Sequence, residues 1–180
     1  MKNQIRNGVF ETNSSSTHAI CISKNKVDLN NLPSYVEFAR NDFGWSFDVY
    51  TSIWGKASYL YEAILECYYY EAEEKLNHIC EVLAKYGISC EFSSGDKYGG
   101  YIDHGYETID FVNDVLNDEE KLMTYLFGDS FIVTGNDNSD DYSDYMYVNE
   151  GEESTSWGTF TNYGKLKPEF DNYEIYYKGN

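Results

Sequence analysis

The stretch from Leu60 to Leu83 constrains the fold more than any other part of this sequence. Its apolar side chains recur three or four residues apart, at Leu60, Ile64, Cys67, Tyr68, Ala72, Leu76, Ile79, Cys80 and Leu83. This spacing places them on one face of an α-helix. Gly87 follows where a helix C-cap would lie. A single helix of this length without internal caps would be unusual, so we expect two helices separated near Tyr69 and Tyr70.

Shorter patterns predict the other elements. Alternating or β-rich runs predict strands at residues 17–23, 88–92, 131–134, 145–149 and 173–178. A helical spacing at Ile109, Val112 and Leu116 predicts a third helix. Asn117 offers an N-cap for a fourth, which we expect to end at Gly128.

These elements define the expected architecture. The chain has 180 residues and 42% hydrophobic content, which suffices for one domain with a buried core. We therefore expect residues 1–180 to form a single domain of the α+β class. It would hold an antiparallel sheet that includes an N-terminal β-hairpin, with three or four helices packed on one face.

Charge is distributed unevenly along the chain. The net charge is -18, yet residues 1–27 hold four basic residues against one acidic residue, a net +3, which leaves -21 for the rest. A body this acidic should repel bare nucleic acid and be attracted to basic surfaces. Three interpretations follow. The acidic part mimics nucleic acid or docks on a basic partner, the basic N-terminal end holds a phosphate contact, or the charge serves solubility alone.

The most acidic tract spans residues 136–153 and contains no basic residue. Its candidate partner-binding carboxylates are Asp137, Asp140, Asp141 and Asp144. An EF-hand is excluded, because Tyr142 stands where the loop needs glycine and Val148 where it needs glutamate. The remaining alternatives are a solvated acidic loop, a loose divalent-ion site, or carboxylates that dock on a basic groove. We expect no cofactor.

The N-terminal stretch reads as strand, polar loop and strand. Runs 4–10 and 17–23 flank six polar residues, and alternation puts His18, Ile20 and Ile22 on one face. Arg6 and Glu11 lie at the loop's edges together with His18. The loop and its end supply small polar groups from Asn13, Ser14, Ser15, Ser16 and Thr17. These groups suit a phosphate site, but the same residue types also form ordinary turns.

The run from Arg6 to His18 is Arg-Asn-Gly-Val-Phe-Glu-Thr-Asn-Ser-Ser-Ser-Thr-His. It resembles the N-terminal signature of a family of small proteins from phages and mobile genetic elements of Gram-positive bacteria. Residues 43–45 and 56–60 look similar to the same family. Some members are anti-CRISPR proteins that act on the type II RNA-guided Cas nuclease, and one mechanism in that group is truncation of the guide RNA. The resemblance thus implies a Cas nuclease inhibitor whose partners are the nuclease and its guide RNA.

Metal-free RNA cleavage needs a base for the 2′-hydroxyl, an acid for the leaving group and a cation on the phosphate. The Asp103–His104 pair beside Gly105 is expected to place a histidine on a loop. His18 and His104 are the candidates for base and acid, with Glu11 as partner and Arg6 as phosphate clamp. Asn13 to Thr17 would bind the RNA phosphate. An equal alternative is a structural ion pair between Arg6 and Glu11. The alternatives are a non-enzymatic acidic blocker of the nuclease channel and an unrelated mobile-element protein.

Other classes find no support in the sequence. It has no P-loop, dinucleotide-binding glycine motif or nucleophile elbow. The cysteines Cys21, Cys67, Cys80 and Cys90 form no C-x-x-C pair, so we expect buried reduced thiols rather than a zinc site. No apolar run approaches the roughly 20 residues of a membrane span, and Met1 to Ile5 is too polar for a signal peptide, so we expect a cytoplasmic protein of the bacterial host.

Overall fold

The computed structural model describes residues 16–93, 100–136, 139–156 and 158–179, which form an α+β fold as predicted. Its strands are β1 (Ser16–Ser23), β2 (Tyr35–Ala39), β3 (Asp42–Phe43), β4 (Asp48–Tyr50), β5 (Ser89–Ser93), β6 (Tyr101–Ile102), β7 (Phe131–Asn136), β8 (Tyr147–Thr155), β9 (Gly158–Leu166) and β10 (Tyr173–Lys178). Its helices are α1 (Ile53–Cys67), α2 (Ala72–Lys85), α3 (Ile109–Asn117), α4 (Glu119–Phe127) and α5 (Asp140–Met146). Short 3₁₀ turns lie at Leu29–Asn31, Gly105–Thr108 and Pro168–Phe170.

The main sheet has the order β10-β1-β7-β4, with every neighbouring pair antiparallel. Both edges of β1 are occupied: it pairs with β10 from His18 to Ser23 and with β7 from Ser16 to Cys21. This corrects the expected N-terminal hairpin, since the neighbours of β1 are the two late strands. The first arm of that hairpin, residues 4–10, lies outside the described residues. The apolar run in β1 suits an interior strand buried on both faces.

The sheet forms the middle layer of the fold. Ile20 and Ile22 face a core built by α1 to α4, whereas Ala19 and Cys21 face a second core with residues of α5. The alternation predicted for β1 is therefore confirmed. Four helices pack on one face, as expected, and the opposite face carries α5 and the β8–β9 ribbon.

The helix boundaries follow local capping chemistry. The predicted break between two helices is confirmed, because α1 ends at Cys67 and α2 starts at Ala72. Gly87, just after α2, has a φ of 74°, which a residue with a Cβ rarely adopts. The N-cap of α4 is Asp118 instead of Asn117: Asp118 Oδ1 accepts a hydrogen bond from the Lys121 amide at 3.0 Å. Asn117 remains the last residue of α3.

The acidic tract is more ordered than a solvated loop. The Ser139 hydroxyl accepts from the Asp141 amide and begins α5, and the helix buries Tyr142 and Met146. The chain then passes directly into β8, which pairs with β9 as a two-stranded ribbon. The strand expected at 145–149 begins at Tyr147 because Met146 still belongs to the helix.

Two of the four cysteines are bonded, which corrects the expectation of reduced thiols. Cys80 of α2 and Cys90 of β5 form a disulfide with Cα atoms 6.0 Å apart, because β5 returns alongside α2. Cys21 and Cys67 are free. Among the helices of the described ranges, none is both long and apolar enough to cross a membrane.

Candidate functional site

A buried polar cluster surrounds the start of β1. The antiparallel register places Lys178 of β10 opposite His18 of β1. The Lys178 ammonium, 1% exposed, donates to the Ser16 carbonyl at 2.8 Å and to the Ser16 hydroxyl at 2.5 Å. The Ser16 amide donates to Asp103 Oδ2 at 3.2 Å. Gly179 allows this approach, since a Cβ there would lie 2.5 Å from the Ser16 carbonyl oxygen.

His18 lies at the centre of this cluster and has no exposed surface. Its Nδ1 is 2.9 Å from the Tyr59 hydroxyl, and Nε2 has no hydrogen-bond partner within the described ranges. Burial lowers the pKa of His18 to about 3, with a smaller contribution from the charge of Lys178. The Gly44 carbonyl and Asp103 raise this pKa, but their effect is weaker. The imidazole is therefore neutral near pH 7. Because it is fully enclosed, an RNA phosphate cannot contact it in this structure.

His104 is the accessible histidine of the site. Its side chain is 49% exposed, and its backbone has a φ of 56°, the left-handed region. The ring nitrogens lie between two carboxylates, with Nε2 3.8 Å from Asp103 Oδ1 and Nδ1 3.7 Å from Glu107 Oε1. Tyr106 stacks on the ring. An oriented, exposed imidazole is the kind of group that can exchange a proton with a bound molecule.

Asp103 connects the histidine predicted on a loop with the predicted N-terminal site. One of its oxygens accepts the Ser16 amide and the other faces the His104 ring. The structure thus gathers Ser16, His18 and His104, whereas Thr17 lies half-buried in β1 opposite Gly135. The other predicted N-terminal residues lie outside the described residues: Arg6, Glu11, Asn13, Ser14 and Ser15.

Sequence reasoning missed three members of the cluster. The polar role of Tyr59 could not be predicted, because this residue lies beside an apolar helical pattern that predicts only core packing. Lys178 shares the face of Tyr176 in an alternating strand, and that alternation was the available signal for its inward position. Glu107 accepts the Gly179 amide at 2.9 Å and carries no sequence signal of its own.

The predicted partner-binding carboxylates form part of a separate surface, which we name the acidic ridge. It consists of Asp140, Asp141, Asp144, Glu150, Glu152 and Glu153, all exposed. Asp144 accepts the Tyr163 hydroxyl at 2.8 Å, and this contact joins α5 to the β8–β9 ribbon. As far as the described ranges extend, no ridge carboxylate forms an ion pair. Asp137 lies outside the described residues.

Among the residues that the structure describes, no three His, Cys, Asp or Glu side chains gather closely enough to hold a metal ion. The predicted loose divalent-ion site includes Asp137, so that hypothesis stays a prediction.

Comparisons of the chain with protein-family models, with curated proteins and with solved structures find no match. The resemblance to phage proteins therefore rests on the motif residues alone.

Proposed function

We propose that this protein is an anti-CRISPR inhibitor that binds a type II RNA-guided nuclease through the acidic ridge and blocks a channel meant for nucleic acid. The supporting observation is the ridge itself, whose exposed carboxylates are not neutralised by neighbouring basic groups within the described ranges. The choice of nuclease rests on the resemblance of residues 6–18 to the phage family.

The shape of the ridge suits insertion into a groove. Residues 149–155 of β8 are exposed along their whole length, so this part of the ribbon extends away from the two cores. Glu150, Glu152 and Glu153 follow one another closely on this exposed stretch of β8, with Glu150 at an irregularity in the pairing with β9. A row of carboxylates on a narrow ribbon can offer a basic channel the negative charges that it otherwise takes from phosphates.

Net charge adds to this local arrangement. At -18 the protein is attracted over long range to a basic surface and repelled by free nucleic acid. Such steering raises the association rate and makes it sensitive to salt. Binding through the ridge should therefore weaken steeply as ionic strength rises.

A pair of charge-matched variants tests this proposal. Changing Glu150, Glu152 and Glu153 together to Gln removes three charges from the ridge. Changing Glu71, Glu73 and Glu81 to Gln removes three exposed charges from the α2 region. We expect the ridge variant to bind the nuclease about tenfold more weakly and to lose inhibition of DNA cutting, with the α2 variant near wild type. Equal losses in both variants, or no loss in either, would contradict a role for the ridge.

Guide RNA cleavage is a second candidate, favoured by His104. Non-glycine residues are uncommon in the left-handed region and concentrate at functional sites. Here that residue is His104, whose exposed imidazole lies between two carboxylates. In this mechanism His104 would take the proton of the 2′-hydroxyl as that oxygen bonds to phosphorus, and would return it to the 5′-oxygen as the P–O5′ bond breaks, leaving a 2′,3′-cyclic phosphate. Lys178 and Ser16 would hold the start of β1 in place.

A denaturing gel separates the two candidates. The guide RNA is incubated with the protein, with and without the nuclease and with and without chelator. Cleavage predicts a discrete shorter RNA that disappears for His104→Ala but persists for His78→Ala, a second exposed histidine. An intact RNA alongside lost DNA cutting would leave the blocking mechanism and exclude cleavage.

A further inference from the structure

A second surface feature lies at the β3–β6 pair. We name it the aromatic cleft. It has a volume of about 380 Å³ and is lined by Asp42, Gly44, Trp45, Ser46, Tyr50 and Tyr101. Trp45 is 50% exposed and Tyr101 is 47% exposed, so the aromatic groups face solvent. Large exposed aromatic side chains at a concave site are typical of binding surfaces.

The walls of the aromatic cleft are held in place from below. β3 and β6 pair in parallel, which sets Asp42 beside Tyr101. Phe43, the next residue of β3, pairs with Ile102 and is fully buried. It packs on the Tyr50 and Tyr59 rings at centroid distances of 5.0 Å. Tyr59 in turn contacts His18. A cleft with fixed walls loses little conformational entropy when it binds a ligand.

An ion pair fixes the two strands further. Arg40 Nε donates to Glu62 Oε1 at 2.6 Å, and Arg40 Nη2 donates to the Gly100 carbonyl at 2.5 Å. The Asn41 amide donates to the same Glu62 oxygen at 3.0 Å. These contacts tie the residues just before β3 and β6 to α1. Gly100 is required here, because a Cβ would collide with Glu62 and the Asn41 backbone.

The charge around the aromatic cleft selects its ligand. Asp42 lines the cleft, Asp48 lies close to the Tyr50 hydroxyl, and none of the six lining residues is basic. A phosphate would be repelled by these carboxylates, whereas a cation would be attracted by them and by the faces of the aromatic rings. The volume lies near the lower end of the about 300–1,000 Å³ typical of ligand sites, which fits a side chain better than a whole nucleotide.

We propose that the aromatic cleft binds an arginine side chain of the partner protein. A guanidinium is flat, stacks on aromatic rings and can donate two parallel hydrogen bonds to a carboxylate such as Asp42. The basic channels that bind nucleic acid are rich in such side chains. This inference rests on the proposed function: the acidic ridge supplies long-range attraction, and the cleft anchors one residue of the same partner.

Nuclear magnetic resonance on the free protein tests the cleft without the nuclease. The probe is N-acetyl-arginine amide, and the control ligand is N-acetyl-citrulline amide, which has the same shape without the charge. The Trp45 indole N–H signal is the one that Trp45→Phe removes. We expect arginine, but not citrulline, to shift this signal while the Trp54 signal stays in place. Asp42→Asn should weaken the arginine affinity about threefold.

Binding to the nuclease supplies the second arm, with a matched tryptophan as control. Trp54 on α1 is 47% exposed, like Trp45, but does not line the cleft. We expect Trp45→Ala to weaken nuclease binding about 30-fold or more, the behaviour of an interface hot spot. Trp54→Ala should stay within about twofold of wild type.

The outcomes separate this inference from the proposed function. No shift of the Trp45 signal, or equal shifts with arginine and citrulline, would overturn arginine binding. A shift with guanosine monophosphate in place of arginine would also overturn it and would make the cleft a nucleobase site. If the proposed function is wrong, the variant with Glu150, Glu152 and Glu153 changed to Gln will still inhibit DNA cutting by the nuclease. That result does not depend on a shift of the Trp45 signal.

Discussion

The Arg40–Glu62 ion pair offers the sharpest test of how this structure is stabilised. The Glu62 side chain has no exposed surface, and Arg40 is 26% exposed. Glu62 Oε1 accepts from Arg40 and from the Asn41 amide, whereas Oε2 has no hydrogen-bond partner among the residues that the structure describes. Arg40 is thus the only cation within 4.0 Å of this buried carboxylate in those ranges.

Replacing Arg40 by Met removes the charge and keeps most of the aliphatic stem. Removing one partner of a buried ion pair typically costs about 3–5 kcal/mol, because the other charge stays buried without compensation. Since Arg40 is partly exposed, we expect a loss near the lower end, about 3 kcal/mol in the free energy of unfolding. The double variant Arg40→Met, Glu62→Met removes both charges and should regain about 2 kcal/mol of this loss.

The loss should also depend on pH. Burial raises the pKa of Glu62, and Arg40 counteracts this effect. Without Arg40 the pKa of Glu62 in the folded state rises further, so the folded protein binds a proton that the unfolded chain releases. The free energy of unfolding of Arg40→Met should therefore increase, relative to wild type, as the pH falls from about 7 to about 5.

Urea denaturation of the wild type, both single variants and the double variant at the two pH values measures these quantities. The reasoning fails if Arg40→Met costs less than about 1 kcal/mol, or if its cost is equal at both pH values. It fails as well if the double variant is no more stable than Arg40→Met alone.

Three further predictions use the same denaturation assay. The pKa of His18 in the folded state is about 3, against an ordinary 6.5, so the unfolded state binds more protons between these values. The free energy of unfolding should therefore fall as the pH drops through this range. His18→Gln should flatten this dependence, and His104→Gln should not. Burial lowers the pKa of Lys56 to about 8 from 10.5, so the unfolded state binds more protons at this residue between these values. The wild type should therefore gain stability relative to Lys56→Met as the pH rises from 8 to 10.5. Gly87→Ala should cost about 1 kcal/mol because φ is 74°, whereas Gly44→Ala, with only the Tyr101 hydroxyl 3.9 Å away, should cost less.

Local patterns predicted much of the fold. The helical spacing from Leu60 to Leu83 predicted α1, α2 and the break between them. The alternation in β1 predicted which of its side chains share a face of the sheet. These features depend on residues a few positions apart, so a single sequence contains them. The order of the strands depends on pairings over long distances, and the hairpin prediction failed because it assumed that β1 would pair with its nearest neighbour in sequence.

The candidate site was predictable only in part, for the same reason. The amino-acid sequence indicated Ser16, His18 and the Asp103–His104 pair as polar residues in or beside loops. It gave no indication that Lys178 would lie against Ser16, a contact that joins residues 162 positions apart. Nor could spacing show that His18 would be fully buried, because burial depends on helices that come later in the chain.

The position of β1 has a consequence for biosynthesis. Its two neighbours begin at Phe131 and Tyr173, so the first described strand completes its pairing only after Lys178 has been made. At a synthesis rate of about 5–20 residues per second, the time between the synthesis of β1 and that of β10 is roughly 10–30 s. Until β7 has been made, the segment from Ala19 to Ile22 lacks both of its strand partners, and until β10 has been made it lacks one of them. Closing loops of this length slows folding. Chaperones that hold nascent chains would have this segment to bind before the sheet encloses it.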